Sequence, residues 1–411
     1  PSQASPIPSQ EDDSVNLIAY VGPDDNIYTI RPDGSNPELL TIPTSGVTAS
    51  LSGAGLFNSH TIYNWPTWSP DATKIAFTSY AENSDIAGSL WVAHIPGGLP
   101  EKIFQDPPEA AGRFVAPRSP HYIYWAPDSE TIAFLAPTSE SLVLYLIDDE
   151  GLQDPRLVAR GAPSYISWSP DGHRLLHHLQ GTLSLVDTRG ELSVSTFAFQ
   201  SVAFRAPSWA PDGKRIAYVD RLNGVDSLVI TNLDGGAPLR VAPISNLGVF
   251  LWSPVANEIA FTQISTAANL GTPTYDGLVV FDADTRETRR ISSVEIAAFF
   301  WSPDGSKLAY VSIDRATATI SWYVNDRLGN SERKLADFVP SREQLFTMFS
   351  FFDQYAYSNS LWSPDSRSLV YVGREPSSNG SGADTVFVLP VDGSSPARPI
   401  APGNLAFWSP R

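Results

Sequence analysis

The chain has 411 residues, 42% of them hydrophobic and 11% aromatic, with a formal charge of −17 and no cysteine. Without clustered Lys and Arg it offers no footprint for a phosphate backbone, so a nucleic-acid partner is excluded. Without cysteine it has no disulfide, thiolate metal site or Cys nucleophile, and no run approaches the roughly 18 consecutive apolar residues of a spanning helix.

Residues 1–14 are Pro, Ser, Gln and acid, with Ile7 their one large apolar side chain before Ser14. Such a stretch cannot build a packed core, and we read it as a flexible tether to a domain at 15–411. Stretches of this kind commonly follow a removed signal peptide or a lipid-modified cysteine. The expectation is an extracytoplasmic protein (periplasm, cell surface or secreted), with any lipid anchor outside this chain.

The domain opens on an orphan second strand at 17–21, a third at 26–30, a Pro32-Asp33-Gly34 turn and a fourth at 38–42. A Trp-(Ser/Ala)-Pro unit then recurs eight times: Trp68-Ser69-Pro70-Asp71, Trp125-Ala126-Pro127-Asp128, Trp168-Ser169-Pro170-Asp171, Trp209-Ala210-Pro211-Asp212, Trp252-Ser253-Pro254-Val255, Trp301-Ser302-Pro303-Asp304, Trp362-Ser363-Pro364-Asp365 and Trp408-Ser409-Pro410-Arg411. Pro presets φ, Asp bonds nearby backbone and Gly takes the positive φ, so the unit closes a hairpin between a first and a second strand. Third and fourth strands follow, as at 227–236 and 386–393, and four strands per repeat make a propeller blade. The last unit is a first strand with nothing after it. Pairing 404–409 with 17–21 completes the orphan blade, and the fold class expected is an all-β, eight-bladed propeller of four-stranded antiparallel blades closed by its terminal strands. The motif tryptophans are structural and fill the gaps between blades. Trp322, outside the motif, is expected to matter less.

These repeats resemble the WSPDG-type, WD-repeat-like propeller of the TolB C-terminal domain and the N-terminal propellers of dipeptidyl peptidases, over nearly all of residues 15–411. TolB-like proteins pair a six-bladed propeller with an α/β domain and bind partner proteins. Here eight blades are expected and no α/β domain is read in these residues, so the resemblance implies protein binding as a class.

Turns joining strands one to two and three to four open on one face of a propeller and are short throughout this chain. The other connections carry the insertions, at 43–63, 79–88, 105–121, 262–277, 312–320, 336–360 and 373–384. They cluster on contiguous blades, which makes that face the expected docking surface. In one of them Ser341-Arg342-Glu343-Gln344 reads as a capping box, with Leu345, Met348, Phe349 and Phe352 at i, i+3, i+4 and i+7. That predicts a short amphipathic helix packed on the propeller rim, leaving Phe346, Phe351, Tyr355 and Tyr357 as partner contacts.

No Gly-x-Ser-x-Gly elbow occurs, and the six histidines form no ligand motif; His177 and His178 fall on one strand and face opposite sides. Turn acids such as Asp24-Asp25 and Asp148-Asp149-Glu150 match no EF-hand loop. No catalytic residue, metal site or cofactor is predicted. The reading is an extracytoplasmic protein-interaction scaffold, and the alternative is a carbohydrate-active lyase or hydrolase with scattered acids at the central channel. Asn379-Gly380-Ser381 is a glycosylation sequon.

Overall fold

A computed structural model describes residues 16–42, 60–81, 88–106, 120–138, 140–201, 205–234, 236–244, 248–262, 274–314, 317, 319–376 and 382–411. Apart from residues 341–360 and the turns, the described chain is strand. Six sheets have four antiparallel strands each, and one has seven. The seven-stranded sheet runs from Ala298–Trp301 through Arg333–Pro340, which meets Ser368–Arg374 only at Val339↔Arg374 and Pro340↔Gly373. The fold is a β-propeller, built of sheets in chain order with the first strand of each repeat innermost.

Second strands are buried on both faces and read as apolar runs, as in Ile259-Ala260-Phe261. The terminal strands pair as the sequence suggested: Leu405–Trp408 lies antiparallel to Ile18–Val21, from Ile18↔Trp408 to Val21↔Leu405.

The repeated turn works as its chemistry predicts. Ser69 Oγ donates to Asp71 and accepts the Lys74 N–H, and Ser169, Ser302 and Ser363 repeat the arrangement. The left-handed position falls to Gly at 172, 213 and 305, but to Ala72, Ser129 and Ser366 elsewhere. The two serines offset that strain by accepting the N–H of Asp71 and Asp304 from neighbouring sheets.

Six of the eight motif indoles bond to the sheet before them. Trp68, Trp125, Trp168, Trp209, Trp301 and Trp362 donate Nε1–H to the carbonyls of Phe407, Thr67, Tyr124, Ser167, Leu251 and Phe300, the residues just ahead of the preceding motif tryptophan. The relay fails twice. Trp408 donates instead to Asn16 Oδ1 at 2.6 Å, and Trp252 Nε1 is buried without an acceptor among the described residues.

Trp322 corrects the expectation made for it. It is wholly buried, packed among Phe300, Phe338, Phe349 and Tyr371.

The long connections at 43–63, 79–88, 105–121, 262–277, 312–320 and 373–384 lie wholly or partly outside the described residues, as does the sequon. The connection at 341–360 is described throughout.

Candidate functional site

Residues 341–360 leave the strand Arg333–Pro340 and return at Trp362. Ser341 Oγ accepts the Gln344 N–H at 3.1 Å, so half of the capping box forms. The other half does not: Gln344 Oε1 accepts the Val372 N–H at 2.7 Å, pinning the segment's start to the next sheet. A π-helical turn, Gln344–Phe349, and a helical turn, Phe352–Tyr355, follow.

The stripe read from the sequence is buried at Met348, Phe349 and Phe352 and partly buried at Leu345. It does not pack on the rim. Phe352 lies against Tyr275, Phe299 and Phe300, whereas Tyr355 stacks on Trp65 at 4.6 Å and meets Tyr122 edge-on. Trp65, Tyr122 and the pair Phe299-Phe300 belong to the innermost strands of three different sheets, so the segment is a plug across the propeller axis. Periodicity gave the apolar stripe; only the three-dimensional closure of the sheets places its partners at the axis.

Three polar contacts hold the plug. The first is a buried ion pair of Asp353 with Arg205, at 3.3 Å, and Arg205 also donates to the Tyr275 hydroxyl at 3.2 Å. Burial pushes the Asp353 carboxyl up, and the Arg205 guanidinium only partly pulls it back; the second Asp353 oxygen has no hydrogen-bond partner among the described residues. Arg205 is itself driven down by burial, but Asp353 holds it above its ordinary value. Second, the Tyr357 hydroxyl accepts the Trp252 N–H at 2.8 Å and bonds Ser208 Oγ at 2.9 Å, and burial raises it to about 12. Third, Asn359 Nδ2 donates to the Pro66 carbonyl and Thr67 Oγ1.

Two of the plug's residues stand at the two breaks in the indole relay. Tyr357 joins Ser208 to Trp252 where the Trp252 indole lacks an acceptor, and the Ser360 carbonyl accepts the Trp408 N–H at 2.8 Å. The motif copies at 252 and 408 are the two that lack the Asp, with Val255 and Arg411 in its place, but nothing in the sequence points from them to Tyr357 or Ser360.

Of the four residues expected to touch a partner, Phe346 is 54% exposed and Phe351 46%. Tyr355 is buried at 7% in the Trp65 stack and presents no surface, because the helical turn carries it to the axis. Tyr357 is 37% exposed, but its ring faces an axial cavity on the short-turn face.

That cavity, of about 260 Å³, is walled by Trp68, Trp125, Trp408, Tyr124, Tyr357 and motif prolines, and no charged side chain lines it. The Tyr124 hydroxyl makes no hydrogen bond among the described residues. A larger cleft of about 560 Å³ lies between neighbouring blades and is polar, with Lys307, Asp326, Arg333 and Asp392 on its walls.

His177 and His178 do face opposite ways. His177 Nε2 bonds Ser164 Oγ, while His178 addresses the carbonyls of Arg205 and Ser201; burial lowers both, His177 to about 4. Among the described residues no three His, Asp or Glu side chains converge as a metal site, and no helix is long and apolar enough to cross a membrane.

No family model matches the chain, and no curated protein matches it. Solved structures do. A eukaryotic initiation factor is 11% identical with a TM-score of 0.54, over 96% of this chain and 98% of that one. An oligogalacturonate lyase in complex with manganese is 14% identical with a TM-score of 0.53, over 80% and 90%. TolB from Acinetobacter baumannii is 17% identical with a TM-score of 0.39, over 77% of this chain; the chain spans 62% of that TolB. At such identities what is shared is the fold: the chain is a β-propeller, with TolB proteins among its structural neighbours.

Proposed function

We propose that this chain is an extracytoplasmic protein-binding propeller of eight blades, docking its partner on the face that carries the long connections. The count follows from dividing the seven-stranded sheet at its two-pair junction and adding the Trp362↔Leu369 bridge as the innermost strand of the second half. The observation that carries the binding reading is the plug. In a propeller enzyme the axis is where convergent acids would work on a ligand; here the chain fills it with Phe352, Tyr355 and one acid, Asp353, held by Arg205.

The plug enters from the long-connection side and leaves Phe346 and Phe351 exposed there. Exposed aromatics are disfavoured in water and are typical anchors of binding surfaces. Short turns and the start of the described chain at Asn16 lie on the opposite face, so a tether at 1–14 would hold the docking face away from its attachment.

The test is affinity capture with intact protein against a Phe346→Ser/Phe351→Ser variant, each eluate identified by mass spectrometry. Loss of one abundant partner with an unchanged melting temperature supports the reading. An unchanged capture profile removes this face, and turnover of an acidic oligosaccharide by the intact protein would favour the lyase reading.

A further inference from the structure

The neutral aromatic cavity on the short-turn face has no part in that reading. Five aromatic rings and the motif prolines enclose about 260 Å³ without a charge, and Tyr124 lines it with a hydroxyl that makes no hydrogen bond among the described residues. Aromatic walls with a hydroxyl donor and no ionic group recognise an extended proline-containing segment: pyrrolidine rings fill the apolar space and a backbone carbonyl takes the hydroxyl. The volume suits two such residues rather than a drug-sized ligand, which needs about 300 Å³ or more.

The chain carries a matching segment in Ser5-Pro6-Ile7-Pro8, which lies outside the described residues. The position of Asn16 points to it as the occupant. Asn16 Oδ1 accepts the Trp408 indole N–H at 2.6 Å, and Trp408 is itself a wall of the cavity. The Asn16 N–H donates to the Arg411 carbonyl at 2.8 Å, so the chain leaves the described fold beside Trp408, where Asn16 lines a neighbouring cleft that shares this tryptophan with the cavity. From Asn16 back to Pro8 an extended chain reaches at most about 28 Å, ample for a cavity whose wall it already touches. Charge agrees: residues 1–10 have no ionisable side chain, whereas Glu11, Asp12 and Asp13 fall in the linking stretch.

We propose that the axial cavity is a docking site for the chain's own Pro6-Ile7-Pro8, making the amino-terminal segment a releasable latch on the short-turn face. Residues before proline are confined to extended backbone, so Ser5 and Ile7 have little freedom to lose on docking. Tethering gives an effective concentration of about millimolar, enough to hold a weak ligand in reversible equilibrium.

Because the protein has no cysteine, Ser2→Cys provides a single site for a nitroxide label on the full chain. Fluorotryptophan NMR then reads which indoles the label approaches. Trp68 and Trp362 belong to the repeats flanking Trp408, but only Trp68 lines the cavity. A docked segment should broaden Trp68 and Trp125 about threefold more than Trp362, consistent with millimolar effective concentration, and free acetyl-Ser-Pro-Ile-Pro-Ser-amide at several times that level should abolish the preference. Pro6→Ala/Pro8→Ala should abolish it too, and Tyr124→Phe should weaken it. Equal broadening of Trp68 and Trp362 overturns the proposal. So does a preference that survives the double proline substitution, or peptide-induced shifts at Trp68 and Trp125 without any preference in the labelled chain, which would assign the cavity to another chain's peptide.

Discussion

Two kinds of seam join the sheets of this propeller. At six of them a motif indole reaches back to a carbonyl of the preceding sheet; at the seams of Trp252 and Trp408 that bond is missing, and Tyr357 or Ser360 of the plug stands beside the break. The regular seams are closed by the repeat itself. The irregular ones depend on a segment that is not part of the repeat, which ties the plug to the integrity of the ring and explains how one long connection can be retained in a fold whose motif needs only a short one.

The largest effect should come from the seam where the chain ends meet. Deleting residues 404–411 removes the strand paired with Ile18–Val21 and should cost much of the roughly 5–15 kcal/mol that holds a domain folded. A thermal melt matching that of the intact protein would show that the terminal pairing does not hold the ring.

Next come the large buried rings. Trp168→Ala at a regular seam and Trp322→Ala beneath the plug should each cost about 3–5 kcal/mol in a denaturant titration, since both are fully packed aromatics. A clearly smaller loss at Trp322 would mean that the plug does not seal that part of the core.

A finer test compares the seams directly. Trp209→Phe removes a bond to the Ser167 carbonyl, whereas Trp252→Phe removes an indole N–H that has no acceptor. The first should therefore cost about 1 kcal/mol more than the second, although both lose similar packing. Equal losses would erase the distinction between the two kinds of seam.

A pH-dependent effect belongs to a site away from both. Asp106 is buried, neither of its carboxylate oxygens has a partner among the described residues, and burial raises it to about 8. The folded protein thus holds this proton more tightly than the unfolded chain, whose carboxyl stays near 3.8. Its contribution to stability is full below pH 4 or so and is lost as pH rises through about 8. Asp106→Asn should flatten that part of the stability profile, gaining on the parent protein between those limits and holding the gain above them. A parallel profile would place the carboxyl in contact with water or a cation.

The repeat made most of the fold legible. Eight Trp-(Ser/Ala)-Pro units, a strand lacking its partner at each end and turn residues with known φ preferences are local signals, and the sheets follow them. The axial site was legible only in outline. Spacing picked out the apolar stripe from Leu345 to Phe352, and Phe346 and Phe351 are exposed as that stripe implies. Arg205, Tyr275, Trp65 and Tyr122 carry no local mark; they become neighbours of the plug because their sheets converge on one axis, a fact of closure that no window of sequence contains. Tyr355 was misjudged for the same reason, since its surface is covered by a residue almost three hundred positions earlier.

The most direct test of the plug is the coupling between Arg205 and Asp353, which are 148 positions apart in the chain. In a double-mutant cycle of Arg205→Met and Asp353→Asn, read by denaturant titration, each single change strands a buried polar or charged partner and should cost about 3–5 kcal/mol. The double variant should cost clearly less than their sum, with a coupling of about 2 kcal/mol or more. Additivity within about 0.5 kcal/mol would mean that the two side chains do not meet, and residues 341–360 would not be the plug of this propeller.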